Sequence, residues 1–254
     1  MAWYTYCIAE RQAFHEQCRH RRPTPLEGVT GLFGHQTFLF PTSEFAIVVS
    51  EHNAEDNLAN LAVIHMNQQA QRDHARVVAD CFKLTTVLPF RFGTMFPNDE
   101  TLRRSVRSNQ RRFAANLERL RGKAEMHLMV LMDGIGPQAL EREQRIGPQC
   151  QQYLASLRQS AILEKEQQSQ ARSLSVQMHR MFLPLAEEVT CRRMESGKVQ
   201  LDIAHLIEHR MVERYQNKYT SAATMLKQCR MHLSGPWPPY HFVHGDGAAQ
   251  HAQA

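Results

Sequence analysis

Glu125-Met126-His127-Leu128-Met129-Val130-Leu131-Met132 predicts a strand, and its apolar run from His127 to Met132 is far short of the roughly 18 residues that a membrane span needs. The segments on its C-terminal side decide the fold class. Pro137 to about Arg193 is helical in composition, with apolar stripes at Leu154, Leu157 and Ala161 and again at Leu174, Met178, Met181, Leu185 and Val189. Breaks are expected at Gly147-Pro148 and at Pro184, because proline removes a helical donor and clashes with the preceding turn. Val199 to Ile207 alternates in part, with Leu201 and Ile203 on one face, and predicts a strand. Val212 to Leu226 predicts a helix and Arg230 to Leu233 a last strand. Strand, long helices, strand, helix, strand lacks the regular alternation of a doubly wound parallel sheet, so the class expected is α+β.

Working back towards the N-terminus, Leu102, Val106, Asn109, Phe113, Leu117 and Leu120 step by three and four. One stripe of a helix over 99–122 therefore faces a core, and Arg103, Arg104, Arg107, Arg111 and Arg112 lie largely off it. Asn98 or Asp99 can cap this helix and Gly122 can end it. Thr85 to Phe90 predicts a strand, demoted to an edge or exit at Pro89. Ala54 to Phe82 carries the apolar residues of a long helix or a broken pair. Gln36 to Phe40 and Phe45 to Val49 are two β-rich runs separated by Pro41-Thr42-Ser43, the pattern of a hairpin. Trp3 to Ile8 suits a strand that opens a sheet, and a polar, basic loop containing Arg19 to Pro23 comes after it. A boundary is expected just after Phe96-Pro97, giving an N-terminal mixed sheet-and-helix domain over 1–97 and a larger domain over 98–243. The tail 244–254 is expected to be disordered.

The 254 residues include 43% hydrophobic and 22% charged side chains, which excludes disordered and fibrous classes. Thirty Lys+Arg against 25 Asp+Glu give a net charge of +5, a mild bias that permits acidic partners without requiring them. No membrane-length apolar run and no signal-peptide pattern is present, so a cytoplasmic location is expected. The six cysteines are scattered without a CxxC pair and read as free thiols.

His205-Leu206-Ile207-Glu208-His209 matches the H-x-x-E-H pattern in which two histidines on one helical face hold zinc and a glutamate acts as base. The flanking Val199 to Ala204 reads as a strand, which spaces the two imidazoles wrongly, so a strand end with ordinary histidines is the better account. Ser196-Gly197-Lys198 fails as a phosphate loop, since Arg192 stands where the first glycine belongs and Val199 where Ser or Thr does. The arginines of the 99–122 helix admit a nucleic-acid-binding alternative through phosphate neutralisation, but no base-reading motif accompanies them. Two segments stand out. Thr85 to Phe96 (TTVLPFRFGTMF) sets a lone arginine between aromatics ahead of a glycine. Leu233 to Val243 (LSGPWPPYHFV) is aromatic and proline-locked, suited either to a strap over the core or to a docking surface.

On these two blocks the chain resembles the gas vesicle GvpF/GvpL family, whose members carry L-P-x-R-F-G-T-x-F, as at Leu88 to Phe96, and G-P-W-P-P-Y-x-F, as at Gly235 to Phe242. Further similarity lies at Trp3 to Ile8, Gly28-Val29, Phe45 to Ser50, His74 and Leu120 to Glu125. Family members more often carry Tyr-Leu-Val where this chain has His205-Leu206-Ile207, which places the first histidine of the zinc-like pattern at an ordinary strand position. The resemblance implies two α+β domains, the C-terminal one ferredoxin-like with a long helical insertion. It implies a non-catalytic accessory protein of gas vesicle assembly in the cytoplasm and at the gas vesicle. Such a protein would bind the hydrophobic shell protein or other accessory proteins during nucleation and growth. Neither cofactor nor metal is implied, nor a nucleic-acid or membrane partner. The contact residues expected are Arg91, Phe92, Trp237 and Tyr240.

Overall fold

The computed structural model describes residues 2–19, 22–52, 67–132, 149–195, 199–227 and 229–244. The chain forms two compact units, Met1–Ala124 with the C-terminal segment from Trp237, and Glu125–Pro236. The division expected at residue 97 therefore falls after Ala124 instead. Its physical reason is that the helices over 99–120 bury Leu102, Val106, Leu117 and Leu120, and Phe113 meets Phe45 of the first sheet edge-on with ring centroids 6.2 Å apart.

In the first unit, β1 (Ala2–Glu10), β2 (Thr24–Thr30), β3 (Gln36–Pro41), β4 (Phe45–His52), β5 (Val87–Pro89) and β6 (Met95–Phe96) make one sheet. Its order is β2-β3-β4-β1-β5, with β6 also pairing β1. β1 is buried from Ala2 to Ala9, so it reads as a continuous apolar run rather than an alternating one. The expected hairpin is β3–β4, antiparallel from Thr37↔Ser50 to Pro41↔Ala46. Its turn is closed by Thr42 N–H donating to Phe45 C=O at 2.8 Å. The loop expected around Arg19 to Pro23 gives way at Thr24 to β2, which the sequence hides: its register with β3 shifts between Pro25 and Thr30, and Gly28 has φ 76°, so side-chain alternation is lost.

α1 (Gln68–Leu84) lies between β4 and β5, capped by the Asn67 side chain, which accepts from the backbone N–H of Gln69 and Ala70. The single helix expected over 99–122 is two, α2 (Asp99–Ser108) and α3 (Gln110–Leu120). They part at Asn109, whose φ of −108° and ψ of 9° leave helical geometry. Asn98 is the N-cap, its side chain accepting from Thr101 N–H at 2.9 Å, and Gly122 takes the left-handed φ of 69° that turns the chain into the next strand.

The second unit runs β7 (Lys123–Met132), α4 (Gln149–Phe182), β8 (Glu188–Glu195), β9 (Val199–Glu208), α5 (Val212–Met225) and β10 (Cys229–Trp237), with strand order β10-β7-β9-β8. That β-α-β-β-α-β succession, with the last strand beside the first, is the ferredoxin-like arrangement. Met126, Leu128 and Val130 of β7, Leu201, Ile203 and Ile207 of β9, Leu174, Met178 and Phe182 of α4, and Tyr215 and Ala222 of α5 form its buried core. One element differs from expectation. Residues 188–193 are strand, not helix: α4 stops two residues before Pro184, and Val189 pairs with His205 in an antiparallel β8–β9 ladder. The expectations for residues 54–66, for the helical start and Gly147-Pro148 break within 137–148, for Ser196-Gly197-Lys198 and for the tail beyond His244 lie outside the described residues.

Candidate functional site

The first block is clamped onto β1 along its length. Leu88 and Pro89 pair with Ile8 and Cys7, and Met95 and Phe96 pair with Tyr4 and Trp3. Between these pairs the chain turns over residues 90–94. Phe90 N–H donates to Tyr6 C=O at 2.8 Å, and both Thr5 N–H and Thr5 Oγ1 donate to Thr94 C=O at 3.0 Å. Thr94 N–H and its hydroxyl close the turn on Arg91 C=O at 3.1 and 2.6 Å. Gly93, at φ 83°, donates its N–H to Tyr4 Oη at 3.1 Å, a conformation for which glycine is suited.

This turn sorts its residues in opposite directions. Arg91 is exposed at the tip, whereas Phe92 packs on the buried cluster of the sheet, its ring 5.5 Å from that of His74 and 6.5 Å from that of Tyr4. A cation-on-ring contact is seen outside the block, with Arg103 4.4 Å above the Phe40 ring. Beneath the turn lies a polar network that sequence reasoning did not foresee. Tyr4 Oη, which accepts from Gly93 N–H, also meets His74 Nδ1 at 2.8 Å. Nε2 has no hydrogen bond of ordinary geometry. Burial pushes the His74 pKa down to about 4, against a weaker upward pull from the Phe90 backbone, and pushes the Tyr4 hydroxyl up. Tyr6 Oη sits 2.9 Å from Ser50 Oγ and accepts from Leu32 N–H at 2.8 Å, and burial raises its pKa to about 12. The only available signal was His74 one helix upstream of an aromatic block.

The second block continues β10 and then straps back. Gly235 has φ 116°, and a Cβ there would stand 2.8 Å from the backbone oxygen of Glu125. Gly235→Ala is therefore expected to cost at least about 2 kcal/mol, read from the denaturant midpoint. Pro238 and Pro239 are buried, and Phe242 and Val243 are buried beyond them. The strap is tied to α3: Arg119 donates to Phe242 C=O, Asn116 Nδ2 to His244 C=O at 2.9 Å, and His244 N–H to Asn116 Oδ1 at 3.0 Å. Trp237 is 42% exposed, while Tyr240 is half-buried against the cluster that Phe92 also touches. Of the four expected contact residues, Phe92 and Tyr240 thus converge on one core, and Arg91 and Trp237 face outward.

The sequence model described as gas vesicle synthesis protein GvpL/GvpF matches residues 2–244. The chain belongs to that family. Gas vesicle protein L of Streptomyces sp. (strain CB03234) is 24% identical over 184 residues, 68% of each chain. The crystal structure of gas vesicle protein GvpF from Anabaena sp. PCC7120 superposes with TM-score 0.73 at 19% identity, covering 98% of this chain and 99% of that one. GvpF from Microcystis aeruginosa gives TM-score 0.68 at 16% identity, covering 96% and 99%. At these identities the two structures establish a shared fold.

In this GvpL/GvpF family member the zinc-like pattern is taken apart by its secondary structure. His205 lies on β9 with its ring fully buried, its Nδ1 2.7 Å from Tyr215 Oη and its centroid 5.5 Å from that of Phe182. Glu208 ends the strand and accepts from Arg210, and His209 opens a short turn. Among the described residues no group of three or more His, Cys, Asp or Glu is placed to hold a metal ion. The arginines of α2 and α3 are in part drawn into the protein, Arg103 donating to Pro41 C=O at 3.0 Å and Arg112 lying over Phe113, whereas Arg104 pairs with Glu100 on the exposed surface of α2. Among the described residues no helix is long and apolar enough to cross a membrane.

Proposed function

We propose that this chain is a non-catalytic accessory protein of gas vesicle assembly that binds the hydrophobic shell protein, alone or with other accessory proteins, during nucleation and growth. Family membership over residues 2–244 carries this reading. It acts in the cytoplasm, where vesicles form. A shell subunit must keep an aggregation-prone apolar face covered until it joins the wall, and a binder presenting aromatic surface covers such a face transiently. The outward-facing Arg91 and Trp237 are the contacts best placed for this, and Phe92 and Tyr240 hold the two blocks that present them.

The test is capture of co-expressed shell protein by the purified chain, with the soluble yield of shell protein recorded. The expected result is co-purification and a raised soluble yield, each reduced several-fold by Arg91→Ala or Trp237→Ala in a protein whose circular dichroism is unchanged. Absence of capture by the unaltered chain overturns the shell-protein reading. Capture that both variants leave intact removes Arg91 and Trp237 from the contact.

A further inference from the structure

The long helix α4 carries two apolar stripes, and the core uses one of them. Ala171, Leu174, Met178 and Phe182 face inward and are buried in the second unit. Ile162, Val176 and Leu183 stand on the outer side, exposed by 58%, 51% and 50%. Leu183 continues the helical path beyond the last residue of α4, since its N–H donates to His179 C=O at 2.8 Å. The three outer residues are separated by two heptads and then by one, with Ser169 at the intervening position. Positions a heptad apart drift by only ~20° around a straight helix, so the four keep to one line opposite the buried stripe.

The side chains that border this line are biased in charge. Three positions on from Ile162, Ser169 and Val176 come Lys165, Arg172 and His179, and four positions on come Glu166, Ser173 and Arg180. Residues at these spacings are the helix-surface neighbours of the line, and all six are exposed. Lys165, Arg172 and Arg180 therefore set three cations against the carboxylate of Glu166. The geometry discriminates between occupants. A lipid surface takes a broad apolar arc of about 100° or more, whereas this line is one residue wide. A second copy would set cationic borders against each other. A heptad-spaced line is what one helix presents to another in left-handed packing, and cationic borders complement acidic ones.

We propose that the outer face of α4 docks a helix of a partner protein whose apolar residues recur every heptad between acidic borders. Its apolar residues meet Ile162, Val176 and Leu183, and its carboxylates meet Lys165, Arg172 and Arg180. The proposal goes beyond the shell-protein reading and uses none of the contact residues named there. The probe is a fluorescein-labelled peptide of about 28 residues, long enough to form a helix, with leucine at a and d and glutamate at e and g, which keeps it from pairing with itself. Fluorescence anisotropy with the full chain is expected to show saturable binding. Affinity should fall roughly tenfold in Val176→Glu and in Arg172→Glu, and roughly threefold in Arg172→Gln, since charge reversal adds repulsion to the lost attraction. Glu166→Gln, which removes the opposing charge, is expected to tighten binding about twofold. Arg72→Glu, which alters net charge equally but lies exposed on α1 in the first unit, should leave the affinity unchanged. No saturable binding, equal binding to Val176→Glu, or equal binding of the same peptide with lysine for glutamate or serine for leucine would each overturn the proposal. So would a chain that sediments as a dimer until Val176→Glu separates it, which gives the face to a second copy, or flotation with phosphatidylglycerol vesicles that the same variant abolishes, which gives it to a lipid surface. Val176 and Arg172 are exposed, so unchanged circular dichroism is expected for these variants. Shell-protein capture by Val176→Glu, measured in parallel, separates failure here from failure of the assembly reading.

Discussion

Acidification from pH 7 to pH 4 is expected to destabilise both units of the protein, each through one buried histidine. His74 in the first unit and His205 in the second have their pKa values pushed down by burial to about 4, against 6.5 in the unfolded chain. Each is neutral when folded. As pH falls through 6.5 the unfolded chain takes up a proton that the folded chain refuses until about pH 4, so the unfolded state binds more protons throughout that window and stability falls with pH. The contribution is fully present above about pH 7 and lost below about pH 4, amounting to about 3 kcal/mol for each histidine. His52, lowered by burial and by its neighbour His35, acts in the same direction. Urea unfolding at a series of pH values, with the two units followed by separate probes, checks this. His74→Gln should flatten the acid limb of the first unit and leave that of the second in place. An acid limb unchanged by that substitution would show that other groups carry the dependence.

Phe182→Ala is expected to destabilise the second unit by about 3–5 kcal/mol, the range for removing a large side chain from a packed core. Phe182 closes α4 fully buried, its ring 4.9 Å from Tyr215 and 5.5 Å from His205. Truncation opens a cavity and also removes an aromatic wall from the imidazole, so the pH dependence assigned to His205 should weaken in the same variant as water gains access. Trp237→Ala, which removes a side chain already 42% exposed, is expected to cost far less stability while changing shell-protein capture. Thermal and urea unfolding of the two variants, beside the capture assay, distinguishes a residue that holds the fold from one that meets a partner.

Short-range physics made several parts of this protein readable from its residues. Pro41-Thr42-Ser43 between two β-rich runs specified the β3–β4 hairpin, and the pair Asn98-Asp99 marked where α2 begins, because turns and caps are satisfied by groups a few positions away. The α+β class came from the order of elements, and the two blocks carried the family. Where local signals conflict, the reading failed: Val189 continues the apolar stripe of α4 yet lies on β8, because hydrogen bonds to β9 outweigh helical spacing. β2 was missed for a related reason, since an irregular register carries no period to read.

What each residue of the blocks does was decided only in three dimensions. Arg91 and Phe92 are adjacent in sequence and equally suggestive, yet one is exposed and the other packs on His74, because Gly93 and Thr94 are pinned to β1 by bonds from Tyr4 and Thr5, 89 positions away. The strap is set likewise by Asn116 reaching His244 across 128 positions. Arg11, Arg103 and Arg107, which no spacing rule links, line one groove of the first unit. Composition and local pattern therefore determined the class, the turns and the caps of this protein, and its two motif blocks carried the resemblance to its family. The inward or outward sense of each motif residue, the depressed histidine pKa values and the groove arose from burial and long-range hydrogen bonding, which exist only once distant strands and helices have paired.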